Sequence, residues 1–82
     1  LAGMRRGTNP ARMAGLLANM AGPGDGPASV AITQQELAEL LGITRATANA
    51  ALSELQKRKL VARGYRSIAI PDRAALALFA LE

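Results

Sequence analysis

The chain has 82 residues and carries ten Lys and Arg against six Asp and Glu, which gives it a net charge of +4. This length allows one small domain, and the basic balance indicates a polyanionic partner. Because the chain contains no Cys and no His, it lacks thiol nucleophiles, imidazole bases and the common zinc ligands. We therefore expect a domain that is not an enzyme and that binds no metal and no cofactor.

The ends and the hydropathy of the chain bear on its location. No apolar run approaches the roughly 20 residues of a membrane-spanning helix, and the N-terminus lacks the apolar stretch of a secretory signal. The sequence therefore predicts a cytoplasmic protein that does not enter a membrane. Because the chain starts with Leu1 and not with Met, we expect a piece of a longer protein. Residues 1–8 are then a linker or the end of a preceding segment, and residues 9–82 form the domain.

The first predicted element is a helix over residues 9–21. Pro10 suits the first turn of a helix, Asn9 is placed to cap it, and the apolar residues that follow recur at steps of three and four. Residues 22–27 hold three glycines and two prolines, which end the helix and predict a mobile surface loop. Residues 29–32 alternate in character and predict a short strand.

A second helix is predicted to begin after Thr33, because Thr33 and Glu36 have the spacing of a capping box. Its buried stripe is predicted to consist of Leu37, Leu40 and Leu41. Gly42 ends it, since glycine adopts a positive φ without steric cost. Thr44 then caps a third helix that extends to about residue 59. The buried face of this third helix is predicted to consist of Ala48, Ala51, Leu52 and Leu55.

The last third of the chain predicts a β-hairpin and a final helix. Residues 60–70 form two short alternating runs around a turn that contains Gly64. Asp72 caps a helix that ends at residue 81 and has no charge after Arg73. One face of this helix must pack on the domain. The other face is available to a missing domain or to a second chain.

The second and third helices together have the form of a helix-turn-helix, because a turn of about three residues that contains glycine joins them. The small side chain of Ala38 allows the helix axes to approach closely, and Leu41, Ala48 and Leu52 can meet between them. A hairpin after this pair makes the predicted fold a winged helix-turn-helix, mostly α with a small β-hairpin wing. We assign the helix-turn-helix to residues 33–59, the wing to residues 60–70 and the C-terminal helix to residues 72–81.

The run T-x-Q-E-L-A-x-L-L-G-x-T-R-x-T over residues 33–47 resembles the C-terminal DNA-binding domain of the cyclic-AMP receptor protein and fumarate-nitrate regulator (Crp/Fnr) family. These are bacterial transcription factors. The resemblance implies a regulator that is a homodimer in its full-length form. It also implies an N-terminal effector-binding domain that is missing from this chain, with double-stranded DNA as the partner.

Four exposed positions on the third helix are predicted to face the bases: Arg45, Ala46, Asn49 and Ala50. By the resemblance, Arg45 matches the family's base-reading arginine, and its guanidinium can donate two hydrogen bonds to guanine. Residues 45 and 49 share one helical face, so Asn49 is predicted to pair with adenine. Ala46 and Ala50 offer only methyl contact with thymine. Since the family commonly has an acidic residue and a second arginine at these two positions, we expect a different half-site.

Six further residues are predicted to contact phosphates: Thr33, Gln35, Thr47, Lys57, Arg63 and Arg66. The resemblance implies the first three. Arg63 and Arg66 lie at the tip of the wing, where they can straddle a DNA backbone, but such charges also protect an exposed edge strand from pairing. Lys57 and its two basic neighbours can contact DNA or can complement the helix dipole. Both interpretations remain open. Arg5, Arg6 and Arg12 are expected to be solvated.

Sequence-specific binding of duplex DNA, with the recognition helix over residues 44–59 in the major groove, is therefore the leading functional prediction. The alternative is a winged-helix module for protein contact without specific DNA readout, in which Ala46 and Ala50 belong to an apolar patch. A binder of single strands or RNA would need stacking aromatic rings, and the chain offers only Tyr65 and Phe79.

Overall fold

A computed structural model describes residues 8–81 of the chain. The predictions for Arg5, Arg6 and most of the linker lie outside these residues. The elements in chain order are α1 (Asn9–Ala21), β1 (Ala28–Val30), α2 (Gln34–Leu41), α3 (Arg45–Lys57), β2 (Ala62–Gly64), β3 (Ser67–Ile70) and α4 (Arg73–Ala80). The predicted winged helix-turn-helix fold, mostly helical, is confirmed. Within the described residues, no helix is both long and apolar enough to cross a membrane.

Each of the four helices begins after a side chain that accepts hydrogen bonds from backbone amides of its first turn, as an N-cap does. The predicted caps Thr33, Thr44 and Asp72 are confirmed, and Thr33 forms the complete capping box with Glu36. The predicted Asn9 cap is wrong, because Thr8 caps α1 one residue earlier. Proline lacks an N–H that the first turn leaves unpaired in any case, so Pro10 fits either position and does not fix the cap.

The buried stripe of α2 differs from the prediction at one residue. Leu37 and Ala38 are buried and Leu41 is half-buried, but Leu40 is 62% exposed. At about 100° per residue, the first three residues lie within one sector centred near Leu41, and Leu40 lies about 100° away from that centre. The buried face is therefore rotated towards Ala38, and the prediction for Leu40 is wrong.

The wing is part of a larger sheet than the predicted hairpin. β3 pairs with both β1 and β2 in antiparallel fashion, in the order β1-β3-β2. Val30 lies opposite Ile68, and Ala28 lies opposite Ile70. Val30, Ile68 and Ile70 are buried while Ala69 is exposed, because successive side chains of a strand point to opposite faces. β1 thus ties the wing to the helices.

The turn of the wing is formed by Tyr65 and Arg66. The left-handed residue of this turn is Arg66, with φ at 52°, and Gly64 belongs to β2. Glycine has a different use at that position, since a Cβ on Gly64 would lie 2.7 Å from Oγ of Ser67. Arg66 and the exposed Tyr65 therefore stand at the tip of the wing.

The core is built from large aliphatic side chains separated by alanines. The largest fully buried side chains are Met13, Leu17, Leu37, Leu52, Leu55, Ile70 and Leu76. The predicted inner face of α3 is confirmed, since Ala48, Ala51, Leu52 and Leu55 are all buried. Small side chains such as those of Ala14, Ala38 and Ala48 are also buried, and they allow the helices to pack closely with few voids. The inner face of α3 is thereby held by α1 and α2.

The helices α2 and α3 end in the same backbone motif. Gly42 has φ at 69° and Lys59 has φ at 61°, both in the left-handed region. In each case the following amide donates to a carbonyl five residues back, from Ile43 to Ala38 and from Leu60 to Leu55. The predicted end at Gly42 is confirmed. The helix α3 ends at Lys57, two residues before its predicted end, because Lys59 serves as the left-handed residue.

The loop over residues 22–27 is anchored to α4 by one side chain. The Nε atom of Arg73 donates to the carbonyl of Gly26 at 2.9 Å, and Nη1 donates to the carbonyl of Pro23 at 2.9 Å. The carbonyl of Gly26 also accepts from the backbone amide of Arg73 at 3.3 Å, so both the backbone and the charged side chain of Arg73 satisfy carbonyls of this loop. The glycine and proline content predicted a mobile loop, and it did not indicate these hydrogen bonds from Arg73.

Candidate nucleic-acid interface

The outer surface of α3 presents the four predicted base-reading residues together. Arg45, Ala46, Asn49 and Ala50 are all exposed. Ala46 and Ala50 lie opposite the buried face of the helix, and Arg45 and Asn49 lie beside that face. Thr44 stabilises the first turn, because its Oγ1 accepts from the amide of Thr47 at 3.1 Å. Two turns of helix thus project from a rigid base, which is the arrangement by which a helix enters the major groove.

Arg63 of the wing lies against this same surface of α3. Its Nη1 donates to Oδ1 of Asn49 at 2.8 Å, and its Nη2 donates to Oγ of Ser53 at 2.8 Å and to the carbonyl of Asn49 at 3.2 Å. Nη1 also donates to Oε1 of Gln34 at 3.4 Å. The two terminal nitrogens carry four N–H groups in all, so each N–H group has one acceptor. Arg63 therefore fixes the wing to α3.

Gln34 is a second link that the sequence analysis did not identify. It is the first residue of α2, and its Nε2 donates to the backbone carbonyl of Arg45 at 3.5 Å, while its Oε1 accepts from Arg63. This side chain of α2 thus contacts both α3 and β2. Ser53 was missed as well, although its spacing of four residues from Asn49 places both on one helical face.

The predicted phosphate contacts at the start of α2 are engaged in local hydrogen bonds. The Oγ1 of Thr33 accepts from the amide of Glu36 at 3.1 Å and donates to its carboxylate at 3.0 Å. The backbone and side-chain hydrogen bonds from Thr33, together with the charge of Arg66, lower the pKa of the Glu36 carboxyl. The Nε2 of Gln35 donates to the carboxylate of Glu39 at 3.2 Å.

The remaining predicted phosphate contacts fall into two groups. Lys57 and Arg66 are exposed, at the last turn of α3 and at the tip of the wing. Thr47 is half-buried, and its Oγ1 lies 2.8 Å from Oγ1 of Thr44. Lys57 and Arg66 therefore offer their charge to solvent, whereas Thr47 and the α2 residues would have to exchange an existing bond for a phosphate.

Two further basic residues make contacts within the domain. Nε of Arg58 lies 2.8 Å from the Glu54 carboxylate, and its guanidinium carbon lies 4.9 Å from the centre of the Phe79 ring. Arg12, which the sequence analysis expected to be solvated, is exposed but donates to the carbonyl of Leu41 at 2.9 Å. The basic run that contains Arg58 thus has a structural role at this residue.

A family model, the Crp-like helix-turn-helix domain, matches residues 11–79 of this chain. Among solved structures, a CRP-family transcriptional regulator from Thermus thermophilus is similar, with 28% identity, a TM-score of 0.77, and coverage of 99% of this chain and 46% of that one. The reduced CO-sensing protein from R. rubrum is 30% identical, with a TM-score of 0.77 and coverage of 87% and 35%. The catabolite activator protein of Thermus thermophilus is 29% identical, with a TM-score of 0.74 and coverage of 88% and 33%.

The chain spans less than half of the length of each of these three proteins. A comparison with curated proteins finds no match.

Proposed function

The chain belongs to the Crp-like helix-turn-helix family, the DNA-binding domain of transcription regulators, and we propose that it recognises a specific duplex sequence through α3. The observation that carries this proposal is the exposed surface of α3, which bears Arg45 and Asn49 on a helix whose inner face is buried. A helix that reads bases must be held rigidly, because its side chains have to align with the edges of the bases.

In this proposal Arg45 donates two hydrogen bonds to O6 and N7 of a guanine in the major groove. Ala46 and Ala50 lie on the adjacent face of the helix and contact thymine methyl groups. Asn49 also reads a base. The expected half-site therefore has one strongly required guanine with weaker preferences beside it.

Phosphate contacts would position α3 in the groove without reading sequence. Arg66 and Lys57, which are exposed, are the strongest candidates in our proposal. Thr33, Gln35 and Thr47 would contribute by exchanging their present bonds. Arg63 would contact a phosphate through Nε, or by giving up one of the bonds that its terminal nitrogens now make.

We further propose that the full-length protein is a homodimeric regulator with an effector-binding domain N-terminal to this chain, acting on DNA in the bacterial cytoplasm. Two copies of α3 would then lie about 34 Å apart, one turn of DNA, on a near-palindromic site. The single chain fills one half-site only, so its affinity should be low. Tethering two copies should raise the affinity, because the second binding event becomes intramolecular.

A salt titration of duplex binding tests this function. Binding of the single chain and of a tethered pair should weaken as salt increases, with a slope of log K against log salt of roughly −0.9 for each phosphate neutralised. Arg66→Ala should make the slope less negative by about one contact. The matched control is Arg58→Gln, which removes the same charge from a side chain already paired with Glu54, and it should leave the slope unchanged.

The protein-contact alternative gives a different result in the same titration. If the tethered pair binds no duplex at low salt, or binds with no dependence on salt, the proposed DNA-binding function is wrong. The protein-contact alternative would then be favoured, with the exposed Ala46 and Ala50 as part of its apolar patch.

A further inference from the structure

We propose that Arg63 determines which base Asn49 reads, by fixing the orientation of the Asn49 amide so that it presents donors to the groove and selects guanine. This inference rests on the proposed function, since it assigns specificity within the same interface. It makes Arg63 a positioning residue for base recognition, in addition to any contact with a phosphate.

The first step is the chemistry of the contact between the two side chains. The guanidinium of arginine has donors and no acceptor. The amide atom that lies 2.8 Å from Nη1 of Arg63 must therefore be the oxygen Oδ1 of Asn49. The amide nitrogen then points away from Arg63, and its two N–H groups remain available to another acceptor.

Second, of the two side chains, Arg63 is held in place more firmly than Asn49. Arg63 has three acceptors besides the Asn49 amide, namely Ser53 Oγ, the backbone carbonyl of Asn49 and Gln34 Oε1. The backbone carbonyl and Ser53 belong to α3 itself, so they hold the guanidinium in place whatever the Asn49 side chain does. The amide of Asn49 can rotate easily, because the terminal torsion χ2 of asparagine has a broad range of allowed values. Arg63 is thus the fixed group, and the amide adapts to it.

The third step is the effect on base reading. An asparagine that reads adenine uses both halves of its amide, since Nδ2 donates to N7 and Oδ1 accepts from the N6 amino group. In this domain Oδ1 is already bonded to a cation, and that positive charge also disfavours the approach of an amino group. The major-groove edge of guanine carries two acceptors, O6 and N7, and no donor. It therefore matches an amide that presents only its nitrogen.

The base preference of Asn49 therefore differs from the one that the sequence predicts. On the sequence alone, Asn49 was predicted to pair with adenine because nothing indicated a partner for its oxygen. The hairpin brings Arg63 to Asn49 from 14 residues away. We therefore expect guanine, and not adenine, at the base that Asn49 contacts.

Selection of binding sites from random duplex DNA, performed with the tethered pair of chains, tests the inference. The parent protein should select guanine over adenine at the Asn49 position. Arg63→Ala should free the amide oxygen, and the ratio of guanine to adenine there should fall by roughly tenfold, within the usual range of discrimination by a paired base contact. The preference at the Arg45 position should not change. Arg63→Gln provides a second variant, because glutamine both donates and accepts and does not impose one amide orientation.

The double variant Arg63→Ala with Asn49→Ala separates positioning from other roles. If Arg63 acts through Asn49, then removing Arg63 should have no further effect on base preference once Asn49 is absent. Circular dichroism on each variant would establish that α3 is intact.

Three results would overturn the inference. A selected motif that Arg63→Ala and Arg63→Gln leave unchanged, with affinity or salt slope reduced uniformly, would make Arg63 a phosphate contact only. Adenine at the Asn49 position in the parent protein would be equally decisive. If the parent protein selects no motif at all, the proposed function fails and this inference fails with it.

Discussion

The inner and outer surfaces of the helix-turn-helix are held together by different kinds of contact. Beneath α3, the side chains of Leu52 and Leu55 are fully buried, and alanines fill the space between helices. On the outer surface, Arg63 and its acceptors Asn49 and Ser53 are exposed, and Gln34 is half-buried. The contacts between α2, α3 and the wing described there are hydrogen bonds. One surface excludes water and the other is open to it.

This difference indicates a division of roles. Burial of apolar surface is the main source of folding free energy, whereas exposed hydrogen bonds and charges contribute little, because water competes for the same groups. The outer surface can therefore carry residues chosen for recognition at small cost to stability. Substitutions on the inner surface should change folding, and substitutions on the outer surface should change binding.

The largest effect is expected at Leu52, which is fully buried. Leu52→Ala should lower the free energy of unfolding by about 2–5 kcal/mol, through lost apolar contact and the cavity that remains. This is a large share of the stability of a small domain. Urea denaturation followed by circular dichroism measures it.

The control for this change is Leu40→Ala, since Leu40 is 62% exposed on the neighbouring helix. It removes the same atoms and should change the free energy of unfolding by less than about 0.5 kcal/mol. Equal losses at the two positions would mean that the stability of the helix-turn-helix does not reside in its inner surface.

The second-largest effect is expected on the discrimination between bases in DNA binding. Arg45→Ala should remove about 1–3 kcal/mol of discrimination for one guanine in the half-site, because a bidentate contact is lost. The free energy of unfolding and the salt slope should stay nearly unchanged, since Arg45 is exposed and a base contact neutralises no phosphate. Site selection from random DNA gives the discrimination, and denaturation gives the stability. A uniform loss of affinity with an unchanged motif would instead identify Arg45 as a phosphate contact.

The difference between the inner and outer surfaces also explains which features could be predicted from the sequence. The caps at Thr33, Thr44 and Asp72, the turn at Gly42 and the inner face of α3 all depend on residues close together in the chain, and the structure confirms them. Local spacing is sufficient for such features because the helical period fixes which residues share a face. The error at Leu40 arose where two leucines offered two phases for a helix of eight residues.

The contacts that the sequence did not predict join residues that are far apart in the chain. Arg63 reaches Asn49 across 14 residues and Gln34 across 29, and Arg73 reaches Gly26 across 47. A long polar side chain has no periodic signature, and its partner is decided by how whole elements pack. The exposure of the predicted base-reading residues agrees with their predicted role, but the base that each one reads stays a prediction.

An exposed residue can still affect the free energy of unfolding through its backbone conformation, and Lys59 is such a residue. Lys59 is exposed but has φ at 61°, a conformation that costs a non-glycine residue roughly 1 kcal/mol or more. Lys59→Gly should relieve this cost, while the greater freedom of glycine in the unfolded chain offsets part of the gain. We expect a net stabilisation of somewhat less than about 1 kcal/mol, measured by thermal and urea denaturation.

Two matched variants identify the source of that gain. Lys59→Ala removes the side chain but keeps the unfavourable φ, so it should not stabilise the domain. Gln56→Gly places glycine within α3 and should destabilise by about 1 kcal/mol. Stabilisation by Lys59→Ala equal to that by Lys59→Gly would mean that the charge of Lys59, and not its backbone, is unfavourable.

The smallest effect concerns the pH dependence of the capping box on α2. The hydrogen bonds from Thr33, with the charge of Arg66, hold the pKa of the Glu36 carboxyl below its usual value. The unfolded chain therefore binds a proton at this group more readily than the folded protein does, and stability rises with pH through this window. The contribution is complete above the unfolded-state pKa of Glu36 and is lost as the pH falls through the folded-state pKa.

Glu36→Gln isolates this contribution, because glutamine also serves at this position of a capping box but does not titrate. The difference in free energy of unfolding between the parent protein and Glu36→Gln should be constant near neutral pH. As the pH falls through the acidic range, this difference should shift against the parent protein, since the other carboxyls are common to both. Arg66→Ala should leave most of the pH dependence in place, because Thr33 supplies the larger part of the shift. Denaturation at a series of pH values measures all three proteins. Parallel stability curves would mean that the Glu36 carboxylate is not stabilised by the cap, and that the outer surface lacks even this small polar contribution to folding.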